Sequence, residues 1–270
     1  MKEFVFNGRS LIADKRPYIM GILNVTPDSF SDGGKYNTLE NALRHTEEML
    51  RDGADIIDIG AVSTRPFSDK VTEEEEWTRL EEILPAIRKA FPEAVLSVDT
   101  VSPVVAEKSL LAGADIINDV SGVFLSDMAE IIKKYDCGWV VMHGGVSVRL
   151  AEEVTAFPQG IVSDVNGFFE KMLEEADAFG IPRSRICLDP GFGFSKTNVQ
   201  NRELLENFGK INKYGCTLMC ALSRKRFIRE TAGDREEAVI AKTVEANALA
   251  VRHGADIIRV HDVKEHLILK

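Results

Sequence analysis

Short apolar runs alternate along the chain with longer amphipathic stretches. In order the runs are Tyr18–Asn24, Asp55–Gly60, Val95–Asp99, Asp115–Asn118, Trp139–His143, Arg185–Asp189, Thr217–Leu222 and Asp256–His261. Near-continuous apolar runs suit strands buried on both faces. The segments between them have helical spacing and start signals. Thr72 with Glu75 reads as a capping box, and Asp234 with Glu237 repeats it. Ser102-Pro103 reads as an N-cap followed by proline at the first helical position. Glu73–Glu76 then forms a first helical turn, where carboxylates favour the dipole. Eight strand-then-helix units imply a parallel sheet. Closing it into an eightfold α/β barrel removes both edges. The alternative, an open doubly wound sheet, would carry an early dinucleotide fingerprint, and none is present. Phe4-Val5-Phe6 and Gly8 predict an N-terminal hairpin across the barrel bottom. With no linker or low-complexity segment, residues 1–270 read as a single domain.

A short repeat supports this frame. Gly53-Ala54-Asp55-Ile56-Ile57 recurs as Gly113-Ala114-Asp115-Ile116-Ile117 and as Gly254-Ala255-Asp256-Ile257-Ile258. Each glycine is expected to end a helix, and each Ile pair to enter the sheet. Each copy is followed by a different polar residue: Asp58, Asn118 or Arg259.

Composition narrows the function classes. The formal net charge of −10 argues against sequence-independent binding to nucleic acid or to anionic membrane. Cys137, Cys187, Cys216 and Cys220 form no C-x-x-C pair and read as buried reduced thiols. No apolar run reaches the ~20 residues that span a bilayer, and Met1-Lys2-Glu3-Phe4 starts no signal peptide. The expected location is the cytoplasm.

Polar residues stand at or just after the strand ends: Asn24, Asp58, Asp99, Asn118, His143, Asp189, Ser223 with Arg224 and Lys225, and Arg259 with His261. In a barrel these converge on the mouth where active sites of this fold lie. Singly, each could be a helix cap; the coincidence across so many strands is much harder to explain that way. Asp99, Asn118 and Asp189 supply acceptors for a ligand edge rich in N–H donors, such as an aminopyrimidine. Lys225, Arg259 and His261 supply cations for an anion. The loops Thr26–Asn37 and Ala61–Val71 are rich in Gly, Ser and Asp and could close over a substrate. Gly191-Phe192-Gly193 and Lys196-Thr197 do not complete a nucleotide or phosphate loop. No histidine pair has zinc spacing, and His45, His253 and His266 read as surface residues.

These motifs, taken in order, resemble one family. Gly21-Ile22-Leu23-Asn24-Val25-Thr26-Pro27-Asp28-Ser29-Phe30-Ser31-Asp32-Gly33-Gly34 resembles the first signature of the dihydropteroate synthases, and Asp58-Ile59-Gly60 leading to Ser63-Thr64-Arg65-Pro66 the second. Ser97-Val98-Asp99-Thr100, Ile117-Asn118-Asp119, Val141-Met142-His143, Leu188-Asp189-Pro190-Gly191-Phe192-Gly193-Phe194, Ser223-Arg224-Lys225 and Arg259-Val260-His261-Asp262-Val263 follow in the family's order. The likeness runs from about Pro17 to His266. It implies a (β/α)8 TIM barrel that joins p-aminobenzoate to 6-hydroxymethyl-7,8-dihydropterin diphosphate and releases pyrophosphate. By resemblance Asp99, Asn118 and Asp189 hold the pterin edge, and Lys225 moves from the anion to the ring's acceptors. Arg259 lies against the pterin face and, with His261 and Asn24, holds the diphosphate. Asn24 also ligates Mg²⁺, which prefers oxygen. Thr64 and Arg65 reach the departing diphosphate. Phe30, Pro66, Phe194 and Ser223 help form the p-aminobenzoate site, which makes the family a sulfonamide target. The implied mechanism is dissociative, without an enzyme nucleophile, and electrostatic positioning is its main term. A homodimer is also implied.

The chain departs from the pattern at Ala61, Val62 and Phe67, where the family usually has Gly, Glu and Gly, and at Arg226, where it usually has Ser. Gly144 replaces a frequent Met. Ala61, Val62 and Phe67 fall on the second loop, and so on the p-aminobenzoate half. Two rivals stand beside the synthase: a methyl-transfer domain that binds reduced folate and serves a corrinoid partner, and a pterin-binding relic without turnover. Asn24, Arg65, Arg259 and His261 favour the synthase.

Overall fold

A computed structural model describes residues 2–13, 16–26, 35–62, 71–144, 157–211, 213–233 and 235–270. Two short strands, β1 (Lys2–Phe6) and β2 (Arg9–Ala13), form an antiparallel hairpin. The remaining strands are β3 (Tyr18–Asn24), β4 (Ile56–Gly60), β5 (Val95–Asp99), β6 (Ile116–Asp119), β7 (Gly138–Met142), β8 (Ile186–Asp189), β9 (Thr217–Cys220) and β10 (Ile257–Val260). They are all parallel and close into a barrel in chain order, with β10 pairing both β9 and β3. Between them lie α1 (Lys35–Arg51), α2 (Glu73–Leu80), α3 (Ile83–Ala90), α4 (Pro103–Leu111), α5 (Ser126–Tyr135), α6 (Ile161–Phe179), α7 (Asn198–Glu206), α8 (Arg226–Ala232) and α9 (Glu236–Arg252), and a last turn, α10 (Val263–His266), follows β10. No described helix is long and apolar enough to cross a membrane.

The predicted helix starts are largely as expected. Thr72 and Glu75 form a reciprocal capping box, and Ser102 accepts the Val105 amide ahead of Pro103. Asp234 lies outside the described residues; Arg235 flanks α9 and makes no side-chain cap. A capping box not foreseen joins Thr197 and Gln200 at the start of α7.

The sheet separates two cores. Outward residues such as Ile57, Val98, Ile117, Trp139, Leu188 and Ile258 pack under the helices. The lower barrel interior holds Met20, Ile56, Val95, Ile116, Val140, Cys187, Met219 and Ile257, and Phe4 and Phe6 of the hairpin fill the space among them. Both phenylalanines are fully buried and meet edge to face at 5.7 Å. The hairpin therefore seals the bottom, as its sequence predicted. All four cysteines are buried and unbridged.

The Gly-Ala-Asp repeat lies just before β4, β6 and β10. Its three glycines have positive φ (92°, 107° and 94°) and turn the chain out of the preceding helix. The aspartates do more than the sequence suggested. Their carboxylates accept the amides of Ile19, Leu96 and Leu218 on the preceding strands, at 2.7, 2.9 and 2.9 Å. Each also meets a cation: Lys270 at Asp55, Arg88 at Asp115 and Lys2 at Asp256. Each copy thus clamps two neighbouring strands at the barrel floor.

One histidine expectation is corrected. His266 is fully buried. It accepts from Asn247 at 3.0 Å and donates to the Asp262 carbonyl at 2.6 Å, and burial lowers its pKa. The single turn of α10 packs it against α9 rather than leaving it in solvent.

Candidate active site

Strand side chains alternate between the two faces, so the inward positions can be read in steps of two. On β4 they are Ile56, Asp58 and Gly60; on β5, Val95, Ser97 and Asp99; on β6, Ile116 and Asn118; on β10, Ile257 and Arg259. The interior changes from apolar to polar one step above the Phe4–Phe6 plug. Asn24, Gly60, Asp99 and Asn118 are successive register partners and so lie side by side at the rim of the barrel.

Asp58 is the hub of this polar layer and is fully buried. Its Oδ1 accepts from Ser97 Oγ at 2.6 Å. Its Oδ2 accepts from Asn118 Nδ2 at 3.1 Å and from Arg259 Nε at 2.6 Å. Arg259 also donates to Asp99 at 2.9 Å. Burial opposes the guanidinium charge, but Asp58 and Asp99 outweigh it and hold the pKa above the ordinary value. The three residues that end the sequence repeat, Asp58, Asn118 and Arg259, thus meet in one bonded network. Asn118 Oδ1 is buried and has no hydrogen-bond partner among the described residues.

Asp189 ends β8 and is 2% exposed. It accepts the Gly191 amide at 2.8 Å. Burial raises its pKa, and nearby Lys225 partly offsets the rise. Burial pushes Lys225 down to about 8, against the pull of Asp189. Lys225 donates to the Phe192 carbonyl and lies 4.6 Å over the Phe194 ring. Ser223 Oγ and His261 Nδ1 are 3.0 Å apart, and the His261 amide donates to Ser223 Oγ at 3.3 Å. Arg224 forks onto Asp262 and reaches Glu236 at 2.7 Å, tying the Ser223–Lys225 turn to the loop after β10.

The loop after β8 is held from beneath. Lys196 is buried and donates to the carbonyls of Gly191, Phe194 and His143 at 2.9, 3.1 and 3.4 Å. Burial lowers its pKa to about 7. Gly191 has φ +66°, and a Cβ there would lie 2.0 Å from the His143 carbonyl oxygen. Only glycine fits that approach.

The structure therefore joins Asp99, Asn118 and Arg259 in one network, sets Lys225 near Asp189 and over Phe194, and pairs Ser223 with His261. Asn24 is exposed at the end of β3. Phe30, Thr64, Arg65, Pro66 and Phe67 lie outside the described residues. His143, expected at the mouth, turns away from it. Its Nε2 meets Asp164 of α6 at 2.8 Å, and its ring packs edge-on against Phe168. Burial, aided by the Lys196 charge, lowers its pKa to about 4. Ala61, one of the departures, is fully buried in the outer core. Ser97 was not singled out as a site residue from sequence, and Lys196 was weighed only as the tail of an incomplete phosphate loop. Ser97 could have been, since it stands two positions before Asp99 on the same inward face.

A closed parallel barrel with acceptors and cations gathered at the C-terminal ends of its strands defines an enzyme of the (β/α)8 class. The pterin binding enzyme family profile matches residues 20–261, and the chain belongs to that family. It is 40% identical to the dihydropteroate synthase of Streptococcus pyogenes serotype M3 over 97% of this chain and 94% of that protein. The dihydropteroate synthase of Xanthomonas albilineans, solved with 4-aminobenzoic acid, superposes with a TM-score of 0.89 at 36% identity, over 99% of this chain and 95% of that one. The same organism's enzyme in complex with 7,8-dihydropteroate gives 0.87 at 34% identity, over 99% and 95%.

Proposed function

We propose that this protein is a transferase that condenses 6-hydroxymethyl-7,8-dihydropterin diphosphate with p-aminobenzoate, giving 7,8-dihydropteroate and pyrophosphate. The observation that carries the reading is the polar layer of Asp99, Asn118, Asp189, Lys225 and Arg259 above the barrel floor, in a chain whose relatives across its full length are dihydropteroate synthases. Relatives of that kind favour the synthase over a methyl-transfer domain.

In this reading Asp189 and Asn118 accept hydrogen bonds from the pterin's pyrimidine N–H groups, Asp99 adds a further acceptor, and Lys225 donates to the ring's acceptors. Arg259 lies beside the ring and faces the diphosphate with His261 and Asn24. The C–O bond to diphosphate breaks and its electron pair leaves with that group. The aniline nitrogen of p-aminobenzoate attacks the exposed methylene carbon, forming the C–N bond and then losing a proton. Positioning and charge complementarity supply the rate. No side chain need act as nucleophile. Phe194 and Ser223 would border the p-aminobenzoate position, with Phe30 and Pro66, and Thr64 and Arg65 would reach the diphosphate.

The donor set suits Mg²⁺ held mainly by substrate. Asn24 offers an amide oxygen, and no group of three His, Cys, Asp or Glu side chains among the described residues could cage a metal. Bound there, Mg²⁺ would neutralise charge on the leaving diphosphate. We also propose a cytoplasmic homodimer, as the family resemblance suggests.

The test is a coupled assay for pyrophosphate. Release is expected only with both organic substrates and Mg²⁺ present. Release without p-aminobenzoate would overturn the condensation, and full activity in excess chelator would overturn the metal assignment.

A further inference from the structure

We infer that Asp58 is a specificity-determining positioning residue: by fixing the Asn118 amide with its oxygen toward the pocket, it makes the site select 2-amino over 2-oxo pteridines. This rests on the proposed pterin site. Asp58 itself is fully buried beneath the mouth and is expected to touch no substrate.

Donors and acceptors decide the orientation of the Asn118 amide. An ionised carboxylate only accepts hydrogen bonds, while an amide has a donor end and an acceptor end. Asp58 and Asn118 touch at 3.1 Å. The Asn118 atom that faces Asp58 must therefore be the nitrogen, because an oxygen there would set two acceptors against each other. The remaining end, Oδ1, is buried without a partner among the described residues. Asp58 cannot turn away, because Arg259 donates to one of its oxygens at 2.6 Å and Ser97 to the other at 2.6 Å. Both oxygens are thus committed and the Asn118 amide cannot flip. The mouth then presents a fixed acceptor from Asn118 on β6 and the carboxylate of Asp189 at the end of β8. A ring bearing an amino group at that edge matches this set. A ring bearing a carbonyl oxygen meets acceptors only, and buried polar mismatches of that kind discriminate strongly.

The experiment measures affinities for 6-hydroxymethylpterin and for its 2-oxo analogue, 6-hydroxymethyllumazine, by calorimetry. The parent protein is expected to prefer the pterin by roughly a hundredfold or more. In Asp58→Leu, which keeps the shape and removes every acceptor, Asn118 can rotate and offer its nitrogen. Pterin affinity should fall roughly tenfold, lumazine affinity should hold or rise, and the ratio should collapse. Asp58→Asn can keep its oxygen toward Asn118 and Arg259 with its nitrogen on Ser97 Oγ, so its ratio should fall far less. A general loosening of the pocket would weaken both ligands alike. An unchanged ratio in folded Asp58→Leu would overturn the inference. If that variant does not fold, Asn118→Leu decides: an unchanged ratio there removes the acceptor on which the inference stands. A parent that binds neither ring would instead refute the pterin site itself.

Discussion

Asp189→Asn isolates one charge in a site whose shape it leaves intact. Asp189 is 2% exposed and holds the Gly191 amide at 2.8 Å. In the variant the amide oxygen keeps that bond, so the new NH₂ takes the other position and faces the ligand's N–H donors. A charge-assisted hydrogen bond is worth about 1.5–3 kcal/mol. Lys225 also loses the strongest influence opposing its burial, which already pushes its pKa down to about 8, so much of its charge disappears near neutrality. Together these cost about 2–4 kcal/mol, or roughly 30- to 1000-fold in affinity for 6-hydroxymethylpterin. Calorimetry reads the affinity, and circular dichroism checks the fold. Burial raises the parent's Asp189 pKa, so its charge is lost as pH falls through that raised value. The gap between parent and variant should therefore narrow in acid. Unchanged affinity in a folded variant at pH 7.5 would refute the assignment.

Three further outcomes are expected. Folded Lys196 releases its proton near pH 7, whereas the unfolded chain keeps it to about 10.5, so the parent should gain stability relative to Lys196→Met as pH rises between these values, by up to ~1.4 kcal/mol per unit; an equal stability difference between the two proteins at pH 6.5 and 8.5 in urea denaturation would contradict this. Phe6→Ala should cost about 3–5 kcal/mol in denaturant unfolding while leaving pterin affinity in the folded protein unchanged, because the hairpin plug lies below the polar layer. A sulfonamide should bind more tightly with pyrophosphate and Mg²⁺ than without, since both anion and aromatic acid are proposed to share the loops after β3 and β4; equal titrations would mean the two sites do not couple.

Much of this architecture can be read from the chain. Uninterrupted apolar runs mark strands buried on both faces, and each of the eight runs contains a strand or overlaps one closely. The rim residues Asp99, Asn118, Asp189 and Arg259 were legible because polar side chains at so many strand ends need a common explanation. What sequence could not supply was direction. Asp58 and His143 both stand near strand ends, yet one turns into the barrel to organise Arg259 and the other turns outward to Asp164. Lys196 was hidden for another reason. In sequence it stands out only as part of Lys196-Thr197, the tail of an incomplete phosphate loop, and only the fold sets the carbonyls of Gly191 and Phe194 from its own loop, and of His143 from the loop after β7, around its amine.

The floor clamps have a consequence at the opposite end of the strands. Asp55, Asp115 and Asp256 each stand three positions before a member of the upper network: Asp58, Asn118 and Arg259. A strand advances about 3.3 Å per residue, so each clamp sits roughly 10 Å beneath the residue it governs. A slip of one residue would turn every side chain of a strand to the other face. Asp58 would then point among the helices, and Ile57 would enter the mouth. By bonding the preceding strand at one fixed position, each aspartate keeps its strand in phase, so that three segments far apart in the chain deliver their sixth repeat residue to the same side of the wall. Damage to a carboxylate at the base would thus be felt as lost ligand recognition at the top, with no mouth residue altered.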